Sequence, residues 1–258
     1  DALVDATGTR PPPPDSYATA DVPLYVTLYR DEVIMYRDMS GESLHRRGYR
    51  SAMHRASLSE SAAAGMLSLA GWPDMLDHWR RDPSRTPPPV LIDPMCGSGT
   101  FLIEGALMAA NVAPGLIRDE TIGFAFERWP DHNPETYDEC LEDARRIGAE
   151  TRASASTPPV IVGNDIHPGA VTLAGQGAET ARVAGMIDVF RNNCEMFKLA
   201  SSTVGSKIDP DAPKLVVTNP PWGKRIGAGQ QGGGSRGGDR RRRDSEEEND
   251  DFDYEDSE

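Results

Sequence analysis

Apolar blocks separated by polar turns run through the middle of the chain, and their lengths distinguish two kinds of element. Short apolar runs are typical of buried strands, and they occur at residues 90–92, 160–162, 187–190 and 215–217. Longer apolar stretches with helical spacing lie at residues 101–110 and 170–184, and a charged helix is predicted within residues 122–152. Strands that alternate with helices in this way predict an α/β fold with a doubly wound sheet.

The segment before these strands has a different pattern. Two apolar runs flank a polar turn at residues 30–32, which predicts a β-hairpin within residues 23–38. An apolar helix follows, with Ser57 as its expected N-cap and Glu60 at the capping-box position. Residues 80–89 are polar and rich in proline, and they predict a linker to the α/β region.

Changes in composition predict how the chain is divided. Residues 1–20 are rich in proline and predict a linker, residues 21–56 hold the hairpin and a connector, and residues 57–226 form the α/β domain. The acidic end predicts a disordered tail over residues 227–258. Half of the formal net charge of -14 lies in residues 239–258, so the remaining body has room for a local basic surface.

The overall charge and the cysteines narrow the class of protein. A net charge of -14 argues against a generic nucleic-acid coat, because phosphates are bound by surplus Lys and Arg. Cys96, Cys140 and Cys194 are scattered, which indicates a reducing compartment, no disulfide and no metal site. The apolar runs are too short to cross a bilayer, and the start lacks a secretory pattern. We therefore expect an intracellular chain without a membrane partner, in the cytoplasm or an organelle. Its first residue is Asp1, which indicates a processed chain or a fragment.

The first chemical motif is Asp-Pro-Met-Cys-Gly-Ser-Gly-Thr at residues 93–100, between a predicted strand and a predicted helix. Gly97 and Gly99 permit positive φ and close approach of a ligand, and the helix start offers N–H donors. Asp93 places a carboxylate at the strand end, where an ammonium group could be held. The Lys of a phosphate-binding loop is absent after the second glycine. The motif predicts a ligand site, although a plain tight turn would have similar glycines.

The second motif is Gly-Asn-Asp-Ile-His-Pro at residues 163–168, at the end of the second sheet strand. In nucleotide-binding α/β folds, a carboxylate at this place accepts hydrogen bonds from both hydroxyls of a ribose. We predict this role for Asp165. The alternative is an N-cap of the helix that begins near Pro168.

The third motif is Thr-Asn-Pro-Pro-Trp at residues 218–222, after the fourth strand. Two prolines make the backbone rigid, so the Asn219 side-chain oxygen and the Pro220 carbonyl are fixed acceptors. An exocyclic amino group on a base needs two such acceptors, which localise its lone pair toward a methyl donor. Pro221 stiffens the turn and Trp222 is expected to stack on the base. A proline-stiffened loop with a packed Trp is the alternative.

These three motifs, in this order, resemble the amino-group methyltransferases, whose fourth strand ends in Asn, Asp or Ser followed by Pro-Pro and an aromatic residue. Within that group the chain resembles the bacterial-type ribosomal RNA large-subunit guanine-N2 methyltransferases. That resemblance is carried by Leu-Tyr-Arg-Asp-Glu at residues 28–32, the segment at 40–50, the long motif at 91–106 and Asn-Pro-Pro-Trp-Gly at 219–223. It covers residues 24–226.

The resemblance implies a Rossmann-like S-adenosylmethionine-dependent domain with no metal. The implied cofactor contacts are Asp93, Pro94, Cys96, Gly97, Ser98, Gly99, Thr100, Asp165 and Ile166. Either Asn193 or Glu195 corresponds to the polar residue near the adenine. The implied target pocket, with the catalytic residues, consists of Asn219, Pro220, Pro221 and Trp222.

The chain also departs from the family pattern. The RNA-binding THUMP domain that normally comes first is missing, and so are the strands that normally follow the fourth, so we expect a fold truncated at both ends. Glu60 matches a family glutamate, but Ser59 stands where a Lys is usual.

The resemblance implies an enzyme that methylates N2 of guanine in large-subunit ribosomal RNA, with transfer RNA as the nearest alternative. The same acceptor geometry would suit adenine N6 in DNA, and a non-catalytic RNA-binding or assembly relative is a third interpretation. The densest basic run in the body predicts an RNA contact through His45, Arg46, Arg47, Arg50 and Arg55, and a solvated loop is the alternative.

Overall fold

The computed structural model describes residues 8–9, 12, 20–50, 58–154, 157–199, 205 and 208–221. It divides the chain into two units, residues 1–220 and residues 221–258, and Pro221 is the described residue of the second. The predictions for Ser57, Arg55, Trp222 and the tail lie outside the described residues, as does most of the linker at 1–20.

A parallel four-stranded sheet is the centre of the first unit. Its strands are β3 (Val90–Asp93), β4 (Val160–Asp165), β5 (Ile187–Arg191) and β6 (Lys214–Val216), which follow the hairpin strands β1 (Leu24–Tyr29) and β2 (Glu32–Arg37). The spatial order is β5-β4-β3-β6, so the first sheet strand in the chain lies between the second and the fourth. This is a doubly wound arrangement, and it confirms the predicted α/β fold.

Six helices accompany these strands in the described part of the chain: α1 (Glu60–Leu69), α2 (Trp72–Arg81), α3 (Thr100–Ala109), α4 (Pro114–Thr121), α5 (Pro134–Ser154) and α6 (Pro168–Thr180). The helix predicted at residues 170–184 ends at Thr180, because Arg182 adopts a left-handed φ of 58°. Two helices were not predicted from the sequence. α2 enters the expected linker, and Pro114 begins a helix instead of ending one.

The core forms around α3, which is apolar on every side and buries all its residues except Met108. α3 and α6 contact each other and pack on the strands β3, β4 and β5, while α1 and α2 pack on α3. Arg80 of α2 donates to the carbonyl oxygens of Met108 and Ala109 at 2.6 and 3.1 Å, and so satisfies the carboxyl end of α3. This packing fixes the turn before α3.

The predicted hairpin is confirmed as β1 and β2, which pair antiparallel from Leu24 with Arg37 to Tyr29 with Glu32. Apolar side chains on both of its faces are exposed, including Leu28 and Tyr29. At the end of the hairpin, the two terminal nitrogens of Arg37 donate to the two carboxylate oxygens of Asp131 at 3.1 and 3.0 Å. Within the described ranges, no single helix is long and apolar enough to span a membrane. α3 and α4 reach that length and apolarity only when taken together, and this pair is bent by 114°.

Candidate active site

The strand order places three predicted motifs at one edge of the sheet. The carboxyl ends of parallel strands lie together, and here they lead into the turns after Asp93, Asp165 and Val216. The chain winds from β3 to β5 in one direction and returns to β6 on the opposite side of β3. Ligands of such sheets bind outside the carboxyl ends where the winding direction reverses. In this sheet that point lies between β3 and β6.

The turn after β3 depends on its two glycines for different reasons. Gly97 has a φ of 53°, and a Cβ added there would meet no atom within 4 Å, so this side of the turn is open. Gly99 has a φ of 77°, and its Cβ would approach the Cβ of Ala174 in α6 to 2.9 Å. Gly97 therefore leaves room for a ligand, while Gly99 allows α3 to pack closely on α6.

Asp165 bonds directly to this turn. Its Oδ2 accepts a hydrogen bond from the Gly97 N–H at 2.8 Å, and its Oδ1 accepts one from the His167 N–H at 2.9 Å. A carboxylate has about four acceptor positions, so both oxygens keep capacity for the hydroxyls of a ribose. The N-cap of α6 is His167 and has no side-chain cap hydrogen bond, so the alternative interpretation of Asp165 as the N-cap is wrong.

Asp93 is buried at the end of β3, with 1 % of its surface exposed. Burial raises the pKa of Asp93 to about 6, against the lowering effects of the Thr218 side chain and the Met95 N–H, which donates to Oδ1 at 3.2 Å. Because Thr218 precedes the Asn-Pro-Pro segment, Asp93 lies between the glycine turn and the predicted target pocket.

The predicted target pocket follows from the pairing of β6 with β3. The Val217 N–H donates to the Ile92 carbonyl at 3.0 Å, which continues the pairing beyond Val216. Asn219 and Pro220 come next and are half-buried. Pro221 is exposed in the second unit. The structure therefore brings Asn219 and Pro220 to the edge that holds Asp93.

The turn after β5 contains Asn193 and Glu195, either of which could correspond to the family's polar residue near the adenine. Asn193 and Glu195 are both exposed, and the Asn193 Oδ1 accepts the Glu195 N–H at 3.1 Å. The Asn193 oxygen is thus used within its own turn. Ile166, beyond β4, exposes 54 % of its surface.

The other predicted residues of the glycine turn differ in what they can offer a ligand. Pro94 and Ser98 are half-buried. Cys96 is buried, and this burial raises the pKa of its thiol, so it stays protonated at neutral pH. The Thr100 hydroxyl accepts a hydrogen bond from Arg50, which leaves its backbone N–H at the start of α3 as the group for a ligand.

Asn164 was not singled out from the sequence, although it stands next to Asp165. Its side chain is fully buried, and its Nδ2 donates to the carbonyls of Pro94 at 3.1 Å and Asn192 at 2.9 Å. Pro94 belongs to the turn after β3, and Asn192 to the turn after β5. One amide group therefore joins the ends of three strands.

The structure corrects the predicted RNA contact at two arginines. The Arg47 Nε lies 3.7 Å from a Glu104 carboxylate oxygen, and the Arg50 Nε lies 3.8 Å from Glu60. Only 18 % and 8 % of these two arginine side chains is exposed. The prediction was wrong for Arg47 and Arg50, because buried carboxylates need compensating cations inside the fold.

His45 and Arg46 are the other predicted members of this run that the structure describes. Arg46 is exposed and pairs with Glu42 at 3.1 Å, while His45 is half-buried and its Nδ1 lies 2.7 Å from the Ser43 hydroxyl. The described basic surface of the run is therefore much smaller than the sequence indicated.

The loop that presents Arg46 is held from inside by Arg118 of α4, which is 2 % exposed. Its guanidinium donates at 2.7–3.1 Å to the carbonyl oxygens of Ser40, Glu42, Ser43 and Arg46. A planar guanidinium with donors on both terminal nitrogens can serve four acceptors at once.

We expect Arg118→Lys to lower the free energy of unfolding by about 1–2 kcal/mol, because a single ammonium nitrogen cannot reach all four carbonyls. Urea denaturation measures the change. Arg146→Lys is the matched control, since Arg146 is 57 % exposed and its ion pairs contribute little. Equal stability of the two variants would contradict the structural role of Arg118.

Within the described ranges, no group of three or more His, Cys, Asp and Glu side chains is placed to hold a metal ion.

Comparisons with known proteins agree with this geometry. A family model described as the RMKL-like methyltransferase domain matches residues 47–233, more than half of the chain. The chain is 38 % identical over 207 residues to the ribosomal RNA large subunit methyltransferase K/L of Saccharophagus degradans. That match covers 80 % of the chain but 25 % of the relative, so the chain spans about a quarter of the curated relatives it matches.

Two solved structures share the fold. A protein of Listeria monocytogenes, described as a predicted N6-adenine-specific DNA methylase, is 31 % identical with a TM-score of 0.59, over 79 % of this chain and 45 % of that one. SMU.472, described as a putative methyltransferase complexed with SAH, is 27 % identical with a TM-score of 0.55, over 80 % and 45 % of the two chains.

Proposed function

Since the chain belongs to the family of RMKL-like methyltransferase domains, we propose that it transfers a methyl group from S-adenosylmethionine to N2 of guanine in large-subunit ribosomal RNA. The observation that carries the proposal is the meeting of the glycine turn, Asp165 and Asn219 at one edge of the sheet. The proposed cofactor site and the proposed amine-binding site would thereby be side by side.

The residues present fit S-adenosylmethionine. The open side of Gly97 leaves room for the ligand beside the turn, and Asp165 is placed to accept the ribose hydroxyls. Asp93 offers a carboxylate for the ammonium group. Glu195 and Asn193 both remain candidates for the adenine amine, because the Asn193 oxygen accepts one bond in its turn and keeps a second lone pair. Ile166 offers an exposed apolar side chain for the ring.

The chemistry of the target site follows from oriented acceptors. S-adenosylmethionine supplies an electrophilic methyl group when bound. The Asn219 side-chain oxygen and the Pro220 carbonyl would accept hydrogen bonds from the two N–H groups of the guanine amine. The nitrogen lone pair would thereby be oriented toward the methyl group. The roles predicted for Pro221 and Trp222, stiffening of the turn and stacking on the base, stay predictions, and Trp222 lies outside the described residues. The nitrogen would attack the methyl carbon as the carbon–sulfur bond breaks and would release its proton to water afterwards, so no strong base is required.

The choice of RNA rests on the relatives, because the Saccharophagus degradans protein is named for ribosomal RNA. The second candidate is adenine N6 in DNA, which the description of the Listeria monocytogenes structure favours. Asn-Pro-Pro itself specifies an amine and not a particular base. Arg46 and His45 remain the described members of the basic run that would meet RNA.

Methylation assays with the protein that carries this domain test the proposal. Ribosomal RNA, transfer RNA and duplex DNA are each incubated with labelled S-adenosylmethionine, and the nucleosides are identified by mass spectrometry. N2-methylguanosine from ribosomal RNA alone is the expected product. N6-methyladenine in DNA would establish the second candidate, and no transfer to any substrate would indicate a non-catalytic RNA-binding relative.

Asp165→Ala should weaken the binding of S-adenosylmethionine at least tenfold, because it removes the ribose acceptor and releases the Gly97 N–H. Isothermal calorimetry measures the affinity, and circular dichroism checks the fold. Asp188→Ala in β5 is the control, because Asp188 is exposed, precedes the carboxyl end of its strand and should leave the affinity unchanged. Wild-type affinity in a folded Asp165→Ala protein would remove Asp165 from the ribose site.

A further inference from the structure

We propose that Asn164 is a positioning residue that locks the three cofactor-binding turns into their binding geometry. The inference rests on the proposed S-adenosylmethionine site, but Asn164 itself is buried behind that site. It acts through the turns that its amide connects.

The first support is the bonding of the Asn164 side chain. Two N–H bonds of a single nitrogen reach backbone carbonyls in two different turns, those of Pro94 and Asn192. Residue 164 has no exposed surface, so water does not replace these bonds. The amide is oriented with its nitrogen toward both carbonyls, and the reverse orientation would place its oxygen against two other oxygens.

The second support is the backbone around residue 164. The Asn164 carbonyl accepts the Cys96 N–H at 2.8 Å, and the neighbouring Asp165 accepts the Gly97 N–H at 2.8 Å and, through its carbonyl, the Asn192 N–H at 3.1 Å. The end of β4 therefore contacts the turn on each side of it. Asn164 is the described side chain that bonds to both turns at once.

The chemistry of asparagine suits this place. A serine could donate to one of the two carbonyls and an alanine to neither, while an ionised aspartate would repel both. Without the Asn164 amide, the turns after β3 and β5 each still bond to β4. No side chain at position 164 then connects the two turns to each other. A ligand that contacts all three turns must then supply the ordering itself, and its affinity falls by that cost.

The test compares Asn164→Ala and Asn164→Ser with Asn133→Ala in the full chain. Asn133 is a matched control, because its Oδ1 accepts the Thr136 N–H at the start of α5 and its loss affects stability alone. Calorimetry at a temperature well below every melting point gives the affinity for S-adenosylmethionine, and thermal unfolding gives the stability.

We expect Asn164→Ala to bind S-adenosylmethionine about tenfold more weakly, as expected from the loss of two hydrogen bonds, and Asn164→Ser to recover part of the affinity. Asn133→Ala should bind as the wild type does. In steady-state methyl transfer, KM for the cofactor should rise while kcat at saturation stays within about twofold.

Wild-type affinity in a folded Asn164→Ala protein overturns the inference, and so does an affinity loss no larger than that of Asn133→Ala. If Asn164→Ala does not fold, Asn164→Ser decides between the same outcomes. Failure of the wild type to bind S-adenosylmethionine would instead contradict the proposed function, so the two failures are distinguishable.

Discussion

Asn219→Ala is expected to slow methyl transfer about a hundredfold or more while leaving the affinity for S-adenosylmethionine nearly unchanged. The Asn219 oxygen is proposed to hold the target amine while the new N–C bond forms. Such an acceptor acts mainly in the transition state, and removing one preorganised polar group of this kind costs about 3 kcal/mol in barrier height. Its loss should therefore appear in kcat.

Single-turnover transfer to ribosomal RNA measures this effect, with cofactor affinity determined in parallel by calorimetry. Asn219→Asp is the matched variant, because an aspartate keeps an acceptor oxygen at the same position and should retain more activity than alanine. A near wild-type rate for Asn219→Ala would place the Asn-Pro-Pro segment outside the active site. It would also withdraw the support for the proposed reaction.

Asp93→Asn is expected to make the ligand-free protein more stable at pH 7.5 and to weaken S-adenosylmethionine binding about thirtyfold. Burial raises the pKa of Asp93 to about 6, so keeping the carboxylate ionised at pH 7.5 costs folding free energy. The neutral amide avoids this cost, which amounts to at most about 3 kcal/mol for a shift of about two pKa units. The same substitution removes the charge that would pair with the ammonium group.

Stability and cofactor affinity should change with pH in opposite directions. Because the folded-state pKa of Asp93 is raised, its contribution to stability is fully present below about pH 4 and is lost as the pH rises through about 6. The stability advantage of Asp93→Asn should thus appear between pH 4 and 7. Wild-type cofactor affinity should fall in the opposite direction, as the pH drops below 6 and the carboxyl takes up a proton.

Urea denaturation and calorimetry between pH 5 and 7 measure both effects. Glu104→Gln is the control for affinity, because burial also raises the pKa of Glu104 to about 6, yet its carboxylate faces Tyr49 and Arg47. Glu104→Gln should still show a change in S-adenosylmethionine affinity near pH 6, whereas Asp93→Asn should show none. A pH-independent affinity in the wild type would contradict ammonium binding by Asp93.

Most of the sheet could be predicted from the sequence, because its strands are short buried apolar runs and its helices lie between them. The two helices that were missed are less apolar. α2 contains Trp72, Leu76 and Trp79 on one buried face, a helical spacing that was present in the sequence. Its start directly after Gly71 concealed it, since a glycine at such a place is typical of the end of the preceding helix.

Residues of the candidate site could be proposed from the sequence where they lie in recognisable motifs, and not where their role comes only from contacts across the fold. Asp93, Gly97 and Asp165 lie in motifs whose chemistry is evident from the residue types. Asn164 has its role only because β3, β4 and β5 are neighbours, and that order follows from tertiary packing. Arg47 and Arg50 were assigned to RNA because the sequence does not show that Glu104 and Glu60 are their buried partners.

The pairing of β3 with β6 also determines when the site is complete during synthesis. β3 pairs with β4 and with β6, although β4, β5 and all six described α-helices are made before β6 leaves the ribosome. Contacts between such distant segments form late, because the intervening chain must be ordered first. We therefore expect a nascent chain to assemble its cofactor turns before Asn219 docks beside them. The domain would bind S-adenosylmethionine before it could transfer the methyl group.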